Sequence, residues 1–173
     1  MKLSKRTIVI VVLLAAVLLI AGYFAWSSVF NWILPVTKGI SYTSARLTDL
    51  APSLVFAISL ALIPVATILV WKFGSIANRQ RRLFTIFVII AMMIGSLVIR
   101  REMIKSSAEK LQPVITTDYS DPNNPVQREI KMGLRISDLQ FEKFILIGLI
   151  AGTIISFFAL RQRSKKDGSP EDG

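Results

Sequence analysis

Four stretches of this chain contain no Asp, Glu, Lys or Arg: Thr7–Thr37, Leu50–Trp71, Leu83–Ile99 and Phe144–Leu160. Each reaches the roughly 17 residues that a helix needs to cross about 30 Å of hydrocarbon at about 1.5 Å per residue. The last two are short for a span, and Arg82, Arg100, Lys143 and Arg161 at their ends can extend them by carrying their charged heads outward. In water such segments would need a large covering of polar chain. Only 18% of the 173 residues are charged and 53% are hydrophobic, whereas soluble domains average about 25% charged. The expected fold class is an all-α integral membrane protein, with four transmembrane helices in a small bundle.

The charge boundaries divide the chain into a basic N-terminus (residues 1–6), helices at 7–30, 50–72, 83–100 and 138–160, and the segments between them. Those segments are an outer loop (31–49), a basic loop (73–82), an outer segment (101–137) and a charged tail (161–173) whose composition reads as disordered. Lys2, Lys5 and Arg6 ahead of the first apolar run resemble the start of a signal peptide. The run continues past the usual secretory core, however, and lacks a small-x-small cleavage pattern, so an uncleaved anchor is expected. Pro35 should end the first helix, with Ser28–Leu34 lying along the membrane surface. Tyr23, Trp26, Trp32 and Trp71 are expected as interface anchors, because amphipathic rings favour the headgroup level.

An even number of spans places both termini on one side. Basic residues are nearly equal in number on the two sides but denser in the short terminal-side segments, where orientation bias is strongest. Both termini are therefore expected to be cytoplasmic, in a plasma membrane of the bacterial inner-membrane type. The net charge of +10 is accounted for by this asymmetry, without nucleic acid.

Beyond the third span, Arg100–Leu111 consists of good helix formers and should continue that helix until Pro113. The alternation of Ile130, Met132, Leu134 and Ile136 with polar residues predicts a strand, which Val114–Thr117 could pair as a β-hairpin. A short amphipathic helix or an irregular linker fits the same residues. Ser137 and Gln140 have capping-box spacing and predict the start of the fourth helix. Pro64 inside the second span frees the carbonyl of Leu60, with Ser59 and Thr67 nearby to compensate.

Helices in lipid associate through close packing, which small residues permit. Gly148 and Gly152 share one face of the fourth span, Ala91 and Gly95 one face of the third, and Ala57 and Ala61, with Ser53, one face of the second. These are the candidate helix-packing sites. The spacing leaves open whether each contact is internal, with another protein, or with a second copy.

The chemistry-bearing inventory is thin. Cys and His are absent, which removes thiolate and imidazole chemistry, iron–sulfur ligation and His-bound haem or zinc. The four charge-free stretches hold no ionisable residue of the kind a transporter or proton relay places in the bilayer. An outer-surface site could draw on Asp118, Asp121, Glu129, Asp138 or Glu142, but Asp118 and Asp121 fall in a loop-like stretch, where turn-forming or solubilising roles are expected. No phosphate loop, nucleophile elbow or dinucleotide fingerprint occurs. The expectation is a chain that is not an enzyme and carries no cofactor or metal. It would be a non-catalytic accessory or structural subunit, or assembly factor, whose partners are the bilayer, other integral membrane subunits and conceivably a second copy. The alternative is a small oligomeric channel or transporter whose pore is lined by Ser, Thr and glycine backbone.

Overall fold

A computed structural model of the protein describes residues 4–34, 50–76, 78–115 and 139–166. They form four helices, α1 (Lys5–Ile33), α2 (Leu50–Phe73), α3 (Arg79–Ile115) and α4 (Phe141–Lys166). All four are long and apolar enough to cross a membrane. We call the end of the bundle where α1 begins the near end, and the opposite end the far end. Chain neighbours pair antiparallel, α1 on α2 and α3 on α4, and the two pairs join chiefly through α2 and α4. That arrangement makes α2 the central helix and α1 the most peripheral.

The burial pattern follows from this placement. Along α1, one stripe is covered in whole or part: Thr7, Val11, Ala15, Leu18, Gly22, Trp26, Phe30 and Ile33. Steps of three and four residues keep one helical face turned toward a neighbour. The rest of α1 is bare, with Val9, Ile10, Val12, Leu13 and Val17 all more than half exposed. In α2 the relation is inverted: the exposed positions are confined to one strip, Leu54, Ile58, Leu62, Val65 and Leu69 among them. These outward aliphatic faces would be ruinous in water and are ordinary against lipid tails.

Inside, aromatic rings from three helices fill the far end. Trp26 packs on Phe56 with centroids 5.0 Å apart and on Phe30 at 5.5 Å. Phe30 in turn meets Phe141 edge-on at 5.7 Å. Ile89, Met93, Leu97 and Ile104 of α3, and Ile145 and Leu149 of α4, complete the same core. Hydroxyls within the helices turn back onto their own backbones, as Ser59 donates to the Val55 carbonyl, Thr67 to Ile63, Thr85 to Arg81 and Thr153 to Leu149. A hydroxyl that bonds the carbonyl four residues earlier needs no partner across the interface.

Several boundaries differ from the sequence expectation. The β-hairpin is not supported: α3 continues through Pro113 to Ile115, so Val114 and Ile115 are helical, and the described residues contain no strand. A proline so near a helix end leaves only the Glu109 carbonyl without its helical donor, so the helix tolerates it. The remaining hairpin residues, including Ile130–Ile136, lie outside the described residues. At roughly 1.5 Å per residue, the 37 residues of α3 measure about 55 Å, well beyond a hydrocarbon layer. The helix α4 begins at Phe141 rather than near Ser137, because Gln140 adopts φ 53 and interrupts the turn begun at Leu139. The Gln140 carbonyl then accepts the first helical bond, from Phe144 N–H. At its other end α4 runs on through Lys166, into the segment whose composition read as disordered. Nor does α1 bend at Ser28: it stays helical to Ile33, held because Phe30 and Ile33 are on the buried stripe. Ser59 and Thr67 do not cap the Leu60 carbonyl, since their hydroxyls go to Val55 and Ile63.

The turn between α2 and α3 has a defined stop signal. Ile76 N–H donates to the Trp71 carbonyl and Gly74 N–H to Val70, while Ser75 sits at φ 52. This six-to-one closure, with Ile76 packed on Trp71, is a Schellman stop in which the left-handed position holds Ser where Gly is usual. A non-glycine residue there is strained. Ser75→Gly is therefore expected to stabilise the chain by up to about 1 kcal/mol, as read by detergent-unfolding titration, and an unchanged or lower midpoint would contradict the strain.

Candidate functional site

Two kinds of site can be built from these elements: the seams where helices meet, and the polar groups enclosed at the far end. At the α3–α4 seam, α4 presents Gly148 and Gly152 directly to α3. A Cβ added at Gly148 would stand 2.5 Å from Ser96 Oγ, 2.6 Å from the Met92 carbonyl oxygen and 2.7 Å from Met93 Cα. At Gly152 it would stand 2.8 Å from Ile89 Cα and 3.2 Å from Met92 Cβ. The two glycines thus let backbone meet backbone between α3 and α4.

Their partner face on α3 is not the Ala91–Gly95 face. Ala91 is exposed, and a Cβ at Gly95 would meet nothing within 4 Å. The α3 core stripe is Thr85, Ile89, Met93 and Leu97, whose larger apolar side chains favour burial, and this rotation turns Ala91 outward. On α2, Ala57 and Ala61 are both buried. Ala57 faces Gly22 of α1, where an added Cβ would lie 3.0 Å from Ala57 Cα and 3.0 Å from Leu60 Cδ1. Gly22 was not among the expected packing residues, though Ala15 and Gly22 stand seven apart on the stripe that faces α2.

The aromatic anchors divide similarly. Trp32 is 77% exposed, Tyr23 is partly covered with its ring 5.5 Å from Phe24, and Trp71 is partly covered beneath the Arg82 guanidinium, 5.4 Å from its centroid. Trp26 is the correction: it is 0% exposed and sits in the aromatic core, not at a headgroup surface. Its position one turn beyond Gly22 on the α2-facing stripe directs the ring inward.

The far end places a cation of α3 and a buried acid of α4 on neighbouring helices. Arg100 of α3 donates from Nε to the Leu139 carbonyl at 2.6 Å and lies over the Phe144 ring, 5.3 Å from its centroid. It thereby ties the first turn of α4, and the residue preceding its break at Gln140, to α3. Beside these contacts, Glu142 is only 4% exposed, and its Oε2 has no hydrogen-bond partner among the described residues. Arg100 and Lys143 are the cations acting on it. An acid at the edge of the fourth span is thus buried. The legible signal was its spacing: Glu142, Leu149 and Ser156 stand seven apart and Ile145 and Gly152 seven apart, so Glu142 falls on the inward stripe of α4.

Other enclosed polar atoms without a partner among the described residues are Trp26 Nε1, Ser53 Oγ, Trp71 Nε1 and Ser156 Oγ. Among the described residues no three Asp or Glu carboxylates converge as metal ligands would. Asp118, Asp121, Glu129 and Asp138 lie outside the described residues.

The described residues thus form an all-helical bundle of four helices long and apolar enough to cross a membrane, closed on one another through glycine and alanine contacts. No protein-family model, curated protein or solved structure matches the chain.

Proposed function

We propose that the chain is a non-catalytic integral membrane subunit or assembly factor, acting through its outer surfaces on a larger membrane complex. One observation carries the reading: the seam between α3 and α4 is closed to backbone contact at Gly148 and Gly152. The Thr85 and Thr153 hydroxyls are bonded to their own helices. A close-packed interior of this kind favours a molecule that works by contact. The bare faces of α1 and α3 then offer the area for it, in a plasma membrane with both termini cytoplasmic.

Purification of the full chain from its native membrane in mild detergent, followed by intact-complex mass spectrometry, tests the proposal. A stoichiometric unrelated membrane protein is the expected companion. A pure homo-oligomer would favour the channel reading instead, and substrate turnover by the isolated chain would defeat both.

A further inference from the structure

The near end is rich in positive charge. Lys72 lies in the last turn of α2, and Arg79 and Arg82 occupy the first turn of α3, which contains no acidic residue. A helix N-terminus is itself positive by about half a charge, so arginines there repel it as well as one another. Every carboxylate among the described residues, Glu102, Glu109 and Glu142, belongs to the far half of the bundle. Arg82 is nevertheless held in place: its Nε donates to the Ile76 carbonyl at 3.2 Å and its guanidinium stacks on Trp71. Asn78 caps the helix, its Oδ1 accepting from Gln80 N–H at 2.9 Å. Arg82 is thus an ordered cation at the turn. Immediately toward the bilayer along α3, Leu83 and Phe87 are 59% and 68% exposed.

From these observations we infer that the α2–α3 turn binds an anionic phospholipid. Its phosphate would sit against Lys72, Arg79 and Arg82, and its acyl chains would lie along the exposed residues Leu83 and Phe87. Charge complementarity selects an anionic over a zwitterionic headgroup, and the apolar strip directly adjoining the cations selects a lipid over a free anion. The guanidinium of Arg82 stacks on an aromatic face and is ordered before the lipid arrives, which reduces the entropy lost on binding.

The test uses the full chain in dodecylmaltoside micelles, with phosphatidylglycerol or phosphatidylcholine of matched acyl chains added and bound lipid counted by native mass spectrometry. Phosphatidylglycerol should be retained over phosphatidylcholine, and Arg82→Gln should weaken that retention about fivefold, the effect of one basic residue near a charged membrane surface. Arg6→Gln removes the same charge outside the turn and should leave retention unchanged. Because Arg82 also fixes the turn, Arg79→Gln, at an exposed position, serves as the second variant and should weaken retention without altering the unfolding midpoint. Equal retention of the two lipids, equal losses in the Arg6 and Arg82 variants, an undiminished Arg79 variant, or displacement of the lipid by millimolar inorganic phosphate would each overturn the inference.

Discussion

Gly148→Ala is expected to destabilise the folded chain by about 2–3 kcal/mol, the upper part of the range for inserting a methyl into a packed interior. The reason lies in what the methyl would strike. Of the atoms within 2.7 Å of the added Cβ, the Met92 carbonyl oxygen and Met93 Cα are backbone, and only Ser96 Oγ can swing aside. The backbone of α3 cannot yield locally without bending the helix, so α3 and α4 must separate, and every dispersion contact along the seam weakens together. Gly152→Ala should cost less, because its closest approach is 2.8 Å and its next neighbour, Met92 Cβ, is at 3.2 Å. Gly22→Ala should fall lower still: one of its 3.0 Å contacts is the end of the Leu60 side chain, although Ala57 Cα is equally close. Gly95→Ala, with nothing within 4 Å, should be neutral or slightly stabilising through helix propensity. Titration with SDS in dodecylmaltoside micelles, followed by tryptophan fluorescence, reads all four. The order is the content of the prediction: a Gly95 variant as damaged as the Gly148 variant would mean that α3 presents a different face to α4.

The spans were legible because lipid selects against charge over a fixed thickness, so a charge-free run of sufficient length almost names its own structure. Gly148 and Gly152 could be read as a packing face for the same reason, since only two small residues one turn apart make a flat enough surface. The face they meet could not. The spacing of Ala91 and Gly95 marked a small-residue face on α3 without saying what it meets, and the glycines of α4 lie instead against Ile89, Met92 and Met93. A backbone-to-backbone seam needs a glycine on only one side. Trp26 failed by a different route, because an aromatic residue near a span end satisfies both the headgroup interface and a buried core. Only the direction of its helix face decides between them, and that direction depends on where α2 packs. The bounds of α4 were misplaced by backbone geometry: the positive φ of Gln140 breaks the turn inside a motif that otherwise has capping-box spacing. Glu142 was named only as a carboxylate near the outer surface, and its place on a seven-residue repeat is what points it inward.

Arg100→Gln should destabilise the chain by about 3 kcal/mol, the upper end of the range for a hydrogen bond made by a charged group. Two losses combine. The Leu139 carbonyl loses a charge-assisted donor at 2.6 Å just ahead of α4, a bond worth about 1.5–3 kcal/mol. The buried Glu142 carboxyl also loses a neighbouring cation, while its Oε2 already lacks a hydrogen-bond partner among the described residues. Glu142→Gln is a different perturbation: it removes the charge that is hard to bury and leaves Arg100 its Leu139 carbonyl and the Phe144 ring. Its effect should stay within about 1 kcal/mol, since losing the attraction to Lys143 and Arg100 is offset by no longer burying a charge. The two substitutions should therefore be non-additive. In the Glu142→Gln background, Arg100→Gln should cost roughly half as much as it does alone, a coupling of about 1.5 kcal/mol, inside the range found for residues that interact directly. The four-variant cycle, measured by the same SDS titration, separates the contributions. A cost for Arg100→Gln that is identical in both backgrounds would assign its whole effect to the Leu139 carbonyl and the Phe144 ring. It would leave Glu142 a buried acid with no energetic link to its nearest helix neighbour. A reduced cost would make the far end a charge-matched clasp between α3 and α4, complementing the glycine seam nearer the middle of the two helices.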